Sequence, residues 1–236
     1  MSKTIAIVLS GGKGKRMASD ISKQYMLLDG KPILFYTLQS FDKSNIDEVL
    51  LVVGEGDEEY VRKEIVDKYN IKKVTNMVAG GKERYNSVYN ALSFIEDNYK
   101  ANEDTYVLVH DGARPFIQSE DINKMIEEVK LEECCVMGVK TKDTIKISTN
   151  DNYIESTPIR SNVWQIQTPQ AFRFSMLKKS YDEIIGYNDS TITDDSMVVE
   201  RTTNRRIKLI EGKYTNINIT TPEDLKIGLS ILNKNQ

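Results

Sequence analysis

Glycines and cations stand together near the start of the chain, in a pattern suited to holding an anion. After the apolar run Ile5 to Leu9 come Ser10-Gly11-Gly12-Lys13-Gly14-Lys15-Arg16-Met17, and then Ser22-Lys23-Gln24-Tyr25. Glycines let a backbone turn its N–H groups toward one ligand, and Arg16 and Lys23 add full positive charge beside them. The spacing differs from the two familiar nucleotide loops. A Walker loop needs Gly where Leu9 stands and Ser or Thr where Arg16 stands, whereas a dinucleotide fingerprint needs a third glycine where Met17 stands. Kinase-like and dehydrogenase-like readings are thereby set aside, leaving a cationic phosphate cradle of another kind.

Two later segments carry the same parts. Gly80-Gly81-Lys82-Glu83-Arg84 is followed by Ser87, and His110-Asp111-Gly112-Ala113-Arg114-Pro115 joins backbone donors to a carboxylate and a guanidinium. Each segment sits where a strand pattern gives way to the next element, so a parallel sheet would gather all three along its carboxyl edge. That gathering suits a nucleoside triphosphate. Nucleotidyl transfer builds negative charge on the α-phosphate, and catalysis there rests mostly on positioning and preorganised cations, without a protein nucleophile. Arg16 and Lys23 are the candidate cations. Asp111, at a strand end, suits a carboxylate near Mg²⁺ or a ribose hydroxyl.

The elements that must position these residues alternate between strand and helix. Ile5 to Leu9 suits a strand buried on both faces. Pro32 opens a helix with Ile33, Leu34, Thr37, Leu38 and Phe41 on one face, and Val49 to Val53 is a second buried strand. A helix from Asp57 carries Val61, Ile65 and Tyr69, followed by a short strand from Val74 to Val78. From Arg84, Val88, Ala91, Leu92 and Ile95 recur at three- and four-residue spacing, which predicts a helix. Tyr106 to Val109 is the next strand, and an apolar run from Cys134 to Val139 is another, with its two adjacent cysteines as packing residues lacking metal spacing. Thr144 to Ser148 and Tyr153 to Ser156 flank Asn150, Asp151 and Asn152 and predict a hairpin arm. So small an arm has little core of its own and should pack on something, with a second copy of the chain as a partner. Trp164 to Thr168 resumes the strands, with Trp164 read as core. Helices follow from Phe174 to Ile185, near Thr193-Asp194-Asp195, and at Thr221-Pro222, where Thr221 is the N-cap. The fold class expected is α/β, with a mostly parallel, Rossmann-like sheet flanked by helices.

Composition bounds the rest. With 236 residues and 39% apolar content the chain can build a real core, and its formal charge of −3 argues against a general nucleic-acid or anionic-membrane binder. No apolar run approaches a membrane span and no signal-peptide pattern opens the chain, so the expected location is the cytoplasm. His110 is the sole histidine, which excludes a histidine-rich metal site.

The motifs in series resemble one family. Ser-Gly-Gly-Lys-Gly-Lys-Arg-Met, Ser-Lys-Gln-Tyr, Gly-Gly-Lys-Glu-Arg-Tyr-Asn-Ser-Val, His-Asp-Gly-Ala-Arg-Pro, Lys-Asp-Thr-Ile-Lys, Trp-Gln-Ile-Gln-Thr-Pro-Gln-Ala-Phe, Thr-Asp-Asp and Thr-Pro-Glu-Asp-Leu fall in the order seen in 2-C-methyl-D-erythritol 4-phosphate cytidylyltransferases. The resemblance spans nearly the whole chain. It implies one nucleotidyltransferase domain of GT-A-like type over residues 1–236, with a dimerisation arm at about 140–162. It also implies CTP and methylerythritol 4-phosphate as substrates, a divalent cation such as Mg²⁺, and a homodimer. Gly11, Gly12 and Gly14 match the triphosphate loop, and Arg16 and Lys23 match the cations at the α-phosphate. Gly81, Lys82 and Ser87 match positions around the cytosine. Asp111, Gly112 and Arg114 match the segment near ribose, metal and substrate. Thr144 and Arg160 match arm residues that reach the other subunit's substrate, and Thr168 and Thr193 match further phosphosugar contacts.

The chain departs from the family pattern in three places. Ser10-Gly11 replaces alanines, Ser22 replaces a proline, and Asn218 stands where a lysine is expected to help hold the substrate phosphate. Asn218 keeps a ribitol- or ribulose-5-phosphate cytidylyltransferase as the alternative activity. A CTP-binding protein without turnover is the alternative from another class.

Overall fold

The computed structural model describes residues 2–12, 22–187 and 191–234. Among them a seven-stranded sheet is built from β1 (Lys3–Leu9), β4 (Glu48–Val53), β5 (Val74–Ala79), β6 (Thr105–Asp111), β7 (Cys134–Lys140), β10 (Trp164–Arg173) and β11 (Lys208–Glu211). Two small hairpins stand apart, one of β2 (Leu27–Leu28) with β3 (Lys31–Pro32), the other of β8 (Ile147–Ser148) with β9 (Ile154–Ser156). The order across the large sheet is β11-β7-β10-β6-β1-β4-β5. Only β10 among these runs antiparallel to its neighbours, so the expected mostly parallel sheet is present.

The central strand explains the layering. Ile5 and Ile7 of β1 point into one apolar cluster, with Val88, Leu92 and Ile95 of helix α3 (Arg84–Asn98), Leu177 of α5 (Phe174–Ile184) and Val199 of α6 (Asp195–Thr202). Ala6 and Val8 point the other way, against Leu34, Leu38 and Phe41 of α1 (Ile33–Lys43) and Ile122, Met125 and Val129 of α4 (Ser119–Glu132). All four β1 residues are fully buried, as a strand between two helical layers requires. Burial of Ile5, Ile7 and Val8 stabilises the fold by about 1.5–3 kcal/mol each. The final helix α7 (Pro222–Lys234) lays Leu225 and Ile231 on Leu28, Ile33, Phe116 and Ile219. Its start is a capping box: the Thr221 hydroxyl accepts from the Asp224 N–H at 3.3 Å, and the Asp224 carboxylate accepts from the Thr221 N–H at 2.8 Å.

Several expectations shift. The helix after Asp57 starts as α2 (Glu58–Val61) and continues as a π-helix over Arg62–Asp67. The arm's paired strands are shorter than the alternating pattern predicts, because its residues have no second layer and stand exposed. Trp164 is half-buried, its ring beneath Lys140 at 5.8 Å, instead of lying in the core. None of the described helices is long and apolar enough to cross a membrane. Both cysteines are buried and free.

Candidate active site

The carboxyl ends of β1, β4, β5 and β6 meet through backbone contacts close enough to need glycine. A Cβ on Gly11 would stand 2.9 Å from the Val53 carbonyl oxygen, and one on Gly112 would stand 2.9 Å from that of Leu9. The Gly112 N–H donates to Leu9 at 2.8 Å, and the Gly80 N–H donates to Val53 at 2.7 Å. The three glycine junctions read from the sequence are therefore neighbours on one edge.

Each junction is pinned by a side chain. Gln24, buried in the short helical turn Lys23–Tyr25, donates its amide to the carbonyls of Ser10 and Gly12, the latter at 3.0 Å. It ties both described ends of the first loop together. Gly14 and Arg16, read as part of the cradle, lie outside the described residues. At the second junction, Glu83 caps α3 in a capping box with Asn86, and the Ser87 hydroxyl accepts from the Gly81 N–H at 2.9 Å. Lys82 is exposed beside it.

Asp111 is the hub. Its carboxylate receives Arg84 Nε at 3.3 Å, Arg114 Nε at 3.5 Å and Asn218 Nδ2 at 3.2 Å. Burial alone would push this carboxyl up, but the guanidiniums of Arg84 and Arg114, with the charge of Lys23, outweigh it and hold it at about 2. Arg84 also grips the fully buried Asp195 with two parallel bonds of 3.0 and 2.8 Å, and the Tyr181 hydroxyl donates to the same carboxylate at 2.6 Å. Arg114 donates a further bond to the Asn216 carbonyl at 2.8 Å.

Behind Asp111, the β10 register breaks between Ile166 and Gln170. There the buried Thr168 accepts from the Asp111 N–H at 3.1 Å and stands 3.0 Å from His110 Nδ1. Burial pushes the His110 imidazole down to about 4, so it is neutral near pH 7.

The structure thus brings together Gly11, Gly12, Gly81, Ser87, Asp111, Gly112, Arg114, Thr168 and Asn218. Thr193 lies exposed before α6, its hydroxyl 3.8 Å from Met197 Sδ. Thr144 and Arg160 stand exposed on the arm, Arg160 donating to the Lys142 carbonyl at 3.4 Å. Spacing did not single out Gln24, His110, Arg84 or Asp195 as working parts, although each lies inside a quoted motif. Their partners are remote in sequence, and only the fold reveals them.

Among the described residues no cluster of three or more His, Cys, Asp or Glu is arranged to hold a metal. One carboxylate beside a triphosphate still fits Mg²⁺, which keeps waters and binds through one or two carboxylates plus substrate phosphates. Asn218 Oδ1, buried and without a partner among the described residues, adds an oxygen donor of the right hardness next to Asp111.

Comparison with known proteins gives one result throughout. The family model described as 2-C-methyl-D-erythritol 4-phosphate cytidylyltransferase matches residues 4–234. A protein of that name from Lachnoclostridium phytofermentans is 50% identical over 236 residues, covering 100% of this chain and 99% of the relative. One from Alkaliphilus metalliredigens is 46% identical, covering 99% and 94%. The crystal structure of 4-diphosphocytidyl-2C-methyl-D-erythritol synthase from Anaerococcus prevotii superposes with a TM-score of 0.83 at 31% identity, covering 98% and 96%.

Proposed function

Because the chain belongs to the 2-C-methyl-D-erythritol 4-phosphate cytidylyltransferase family and transfers a cytidylyl group from CTP to that phosphate in isoprenoid precursor synthesis, we propose a division of labour among its residues. A phosphate oxygen of the acceptor forms a new bond to the α-phosphorus of CTP. The bond from that phosphorus to the α–β bridging oxygen breaks, and pyrophosphate leaves with the electron pair. Charge builds on the α-phosphate, so the useful protein groups are fixed cations and N–H donors.

Gly11, Gly12 and Gly14 cradle the triphosphate, and Arg16 and Lys23 stabilise the α-phosphate in the transition state. Gly81, Lys82 and Ser87 receive the cytosine, and the 2.9 Å bond from the Gly81 N–H to the Ser87 hydroxyl fixes the backbone against which the base lies. Asp111 and Gly112 face the ribose, and Asp111 would hold Mg²⁺, which would supply charge neutralisation of the phosphates. Arg114, Thr168, Thr193 and Asn218 line the phosphosugar side. Thr144 and Arg160 serve the partner subunit of a homodimer, each protomer a single domain with an arm at 140–162. Exposure of Ile147, Tyr153, Ile154 and Ile159 on that arm supports a partner surface.

The observation that carries this reading is the convergence of Gly11, Gly80, Gly81 and Asp111 on one sheet edge, with Lys23 in the turn that Gln24 ties to the first junction. Lys23→Ala tests it through pyrophosphate release and CTP titration. We expect turnover to fall by about a hundredfold or more while CTP affinity changes less than tenfold, the signature of a contact made in the transition state. An unchanged turnover number removes Lys23 from the mechanism.

A further inference from the structure

His110 is the sole histidine, it is fully buried, and it takes no part in the transfer chemistry described above. Its two ring nitrogens nevertheless face the working residues. Nε2 lies 3.3 Å from the Arg114 carbonyl oxygen, and Nδ1 lies 3.0 Å from Thr168 Oγ1. A carbonyl only accepts, so Nε2 carries the proton. In a neutral ring Nδ1 is then an acceptor, and the Thr168 hydroxyl must donate to it. Thr168 Oγ1 in turn accepts the Asp111 N–H at 3.1 Å, and the Arg114 N–H donates to the Asp111 carbonyl at 3.0 Å.

These four bonds form a ring with one direction: Asp111 to Thr168, Thr168 to His110, His110 to Arg114, Arg114 back to Asp111. Bonds arranged head to tail polarise one another and strengthen the set. The ring also answers a local problem. Where the β10 register breaks, the ladder next to Asp111 is interrupted, and the Thr168 hydroxyl takes the N–H in place of a strand carbonyl. The Phe41 ring packs at 5.2 Å from the imidazole, closing its other side with an apolar surface.

We propose that His110 is a positioning residue for cytidylyl transfer: as the Nε2–H tautomer it closes this ring through Thr168 and thereby fixes the Asp111 carboxylate and the Arg114 guanidinium toward the two substrates. The proposal rests on the reading that Asp111 and Arg114 border those substrates. It also gives Thr168 a defined part, since its hydroxyl proton is committed to the imidazole.

The test has two arms. With ¹⁵N-labelled histidine the protein yields one imidazole spectrum, which should show a pyridine-type Nδ1 and a pyrrole-type Nε2 at neutral pH. An Nδ1–H tautomer or an imidazolium overturns the proposal without reference to activity. The kinetic arm compares His110→Phe, which fills the space with neither bond, and His110→Asn, whose amide oxygen reaches the Nδ1 position and accepts from Thr168. His110→Phe should lower kcat on the order of tenfold to a hundredfold, the cost of a small misplacement, and His110→Asn, which restores one of the two bonds, should recover part of that loss. Equal activities for the two variants sink the proposal. Should His110→Phe fail to fold, His110→Leu, which also lacks both bonds, takes its place in the comparison. Asp111→Ala separates the two readings. If it retains full activity, the site assignment itself fails, whereas an inactive Asp111→Ala beside a fully active His110→Phe refutes only the positioning role.

Discussion

Asp195→Asn is the perturbation that most sharply probes how the site is held. The wild-type carboxylate is fully buried and takes three hydrogen bonds, two from Arg84 at 3.0 and 2.8 Å and one from Tyr181 at 2.6 Å. Asparagine keeps the shape but offers one acceptor oxygen, and its amide N–H groups confront the guanidinium. Breaking a buried ion pair by removing one partner costs about 3–5 kcal/mol. Arg84 keeps 30% of its side chain exposed and retains Asp111 as a second partner, so solvent and Asp111 absorb part of the orphaned charge. The expected loss is therefore at the low end, about 3 kcal/mol, or about 6–12 °C in Tm for a chain of this size. Urea unfolding at constant m reads it directly. A loss below about 1 kcal/mol for Asp195→Asn refutes the claim that this pair anchors the Asp111 cluster.

Two other outcomes follow from the same geometry. The native state holds His110 at about 4 against an ordinary 6.5, so between those values the unfolded chain binds the extra proton and stability falls as pH falls. Wild-type protein in metal-free buffer should lose about 3 kcal/mol more than His110→Asn between pH 6.5 and 4, read by urea unfolding at a series of pH values. Asn218→Lys should lower the KM for methylerythritol phosphate about tenfold, the low end of what a charge-assisted hydrogen bond contributes, as steady-state kinetics would show.

The sheet and its glycine edge were legible because their signals are local. Ile5 to Leu9 is apolar throughout since β1 is covered on both faces, and α3 carries its cap at Glu83 and its core face at four-residue spacing. β10 was legible only to Thr168, because a proline inside a run argues against a central strand. The strand breaks register at that point and resumes with Gln170, Ala171 and Phe172. β11 has four residues and one buried side chain, Ile210, too little pattern to mark a strand. α4 has a clear apolar face but follows Gln118, which makes no side-chain cap, so its start carries no signal. The bonds that hold the site were the least legible part. Arg84 and Asp195 are 111 positions apart, and Asp111 and Asn218 are 107 apart, separations that no spacing rule connects.

Amide hydrogen exchange with and without CTP and Mg²⁺ tests the central claim, that CTP lies across the carboxyl edge of β1, β4, β5 and β6. The prediction is slowed exchange in peptides covering Gly11 and Gly12, Gly80 to Ser87, and Asp111 to Arg114. Protection confined to the opposite sheet edge, around Arg173 and Arg205, with none at those three junctions, would contradict it.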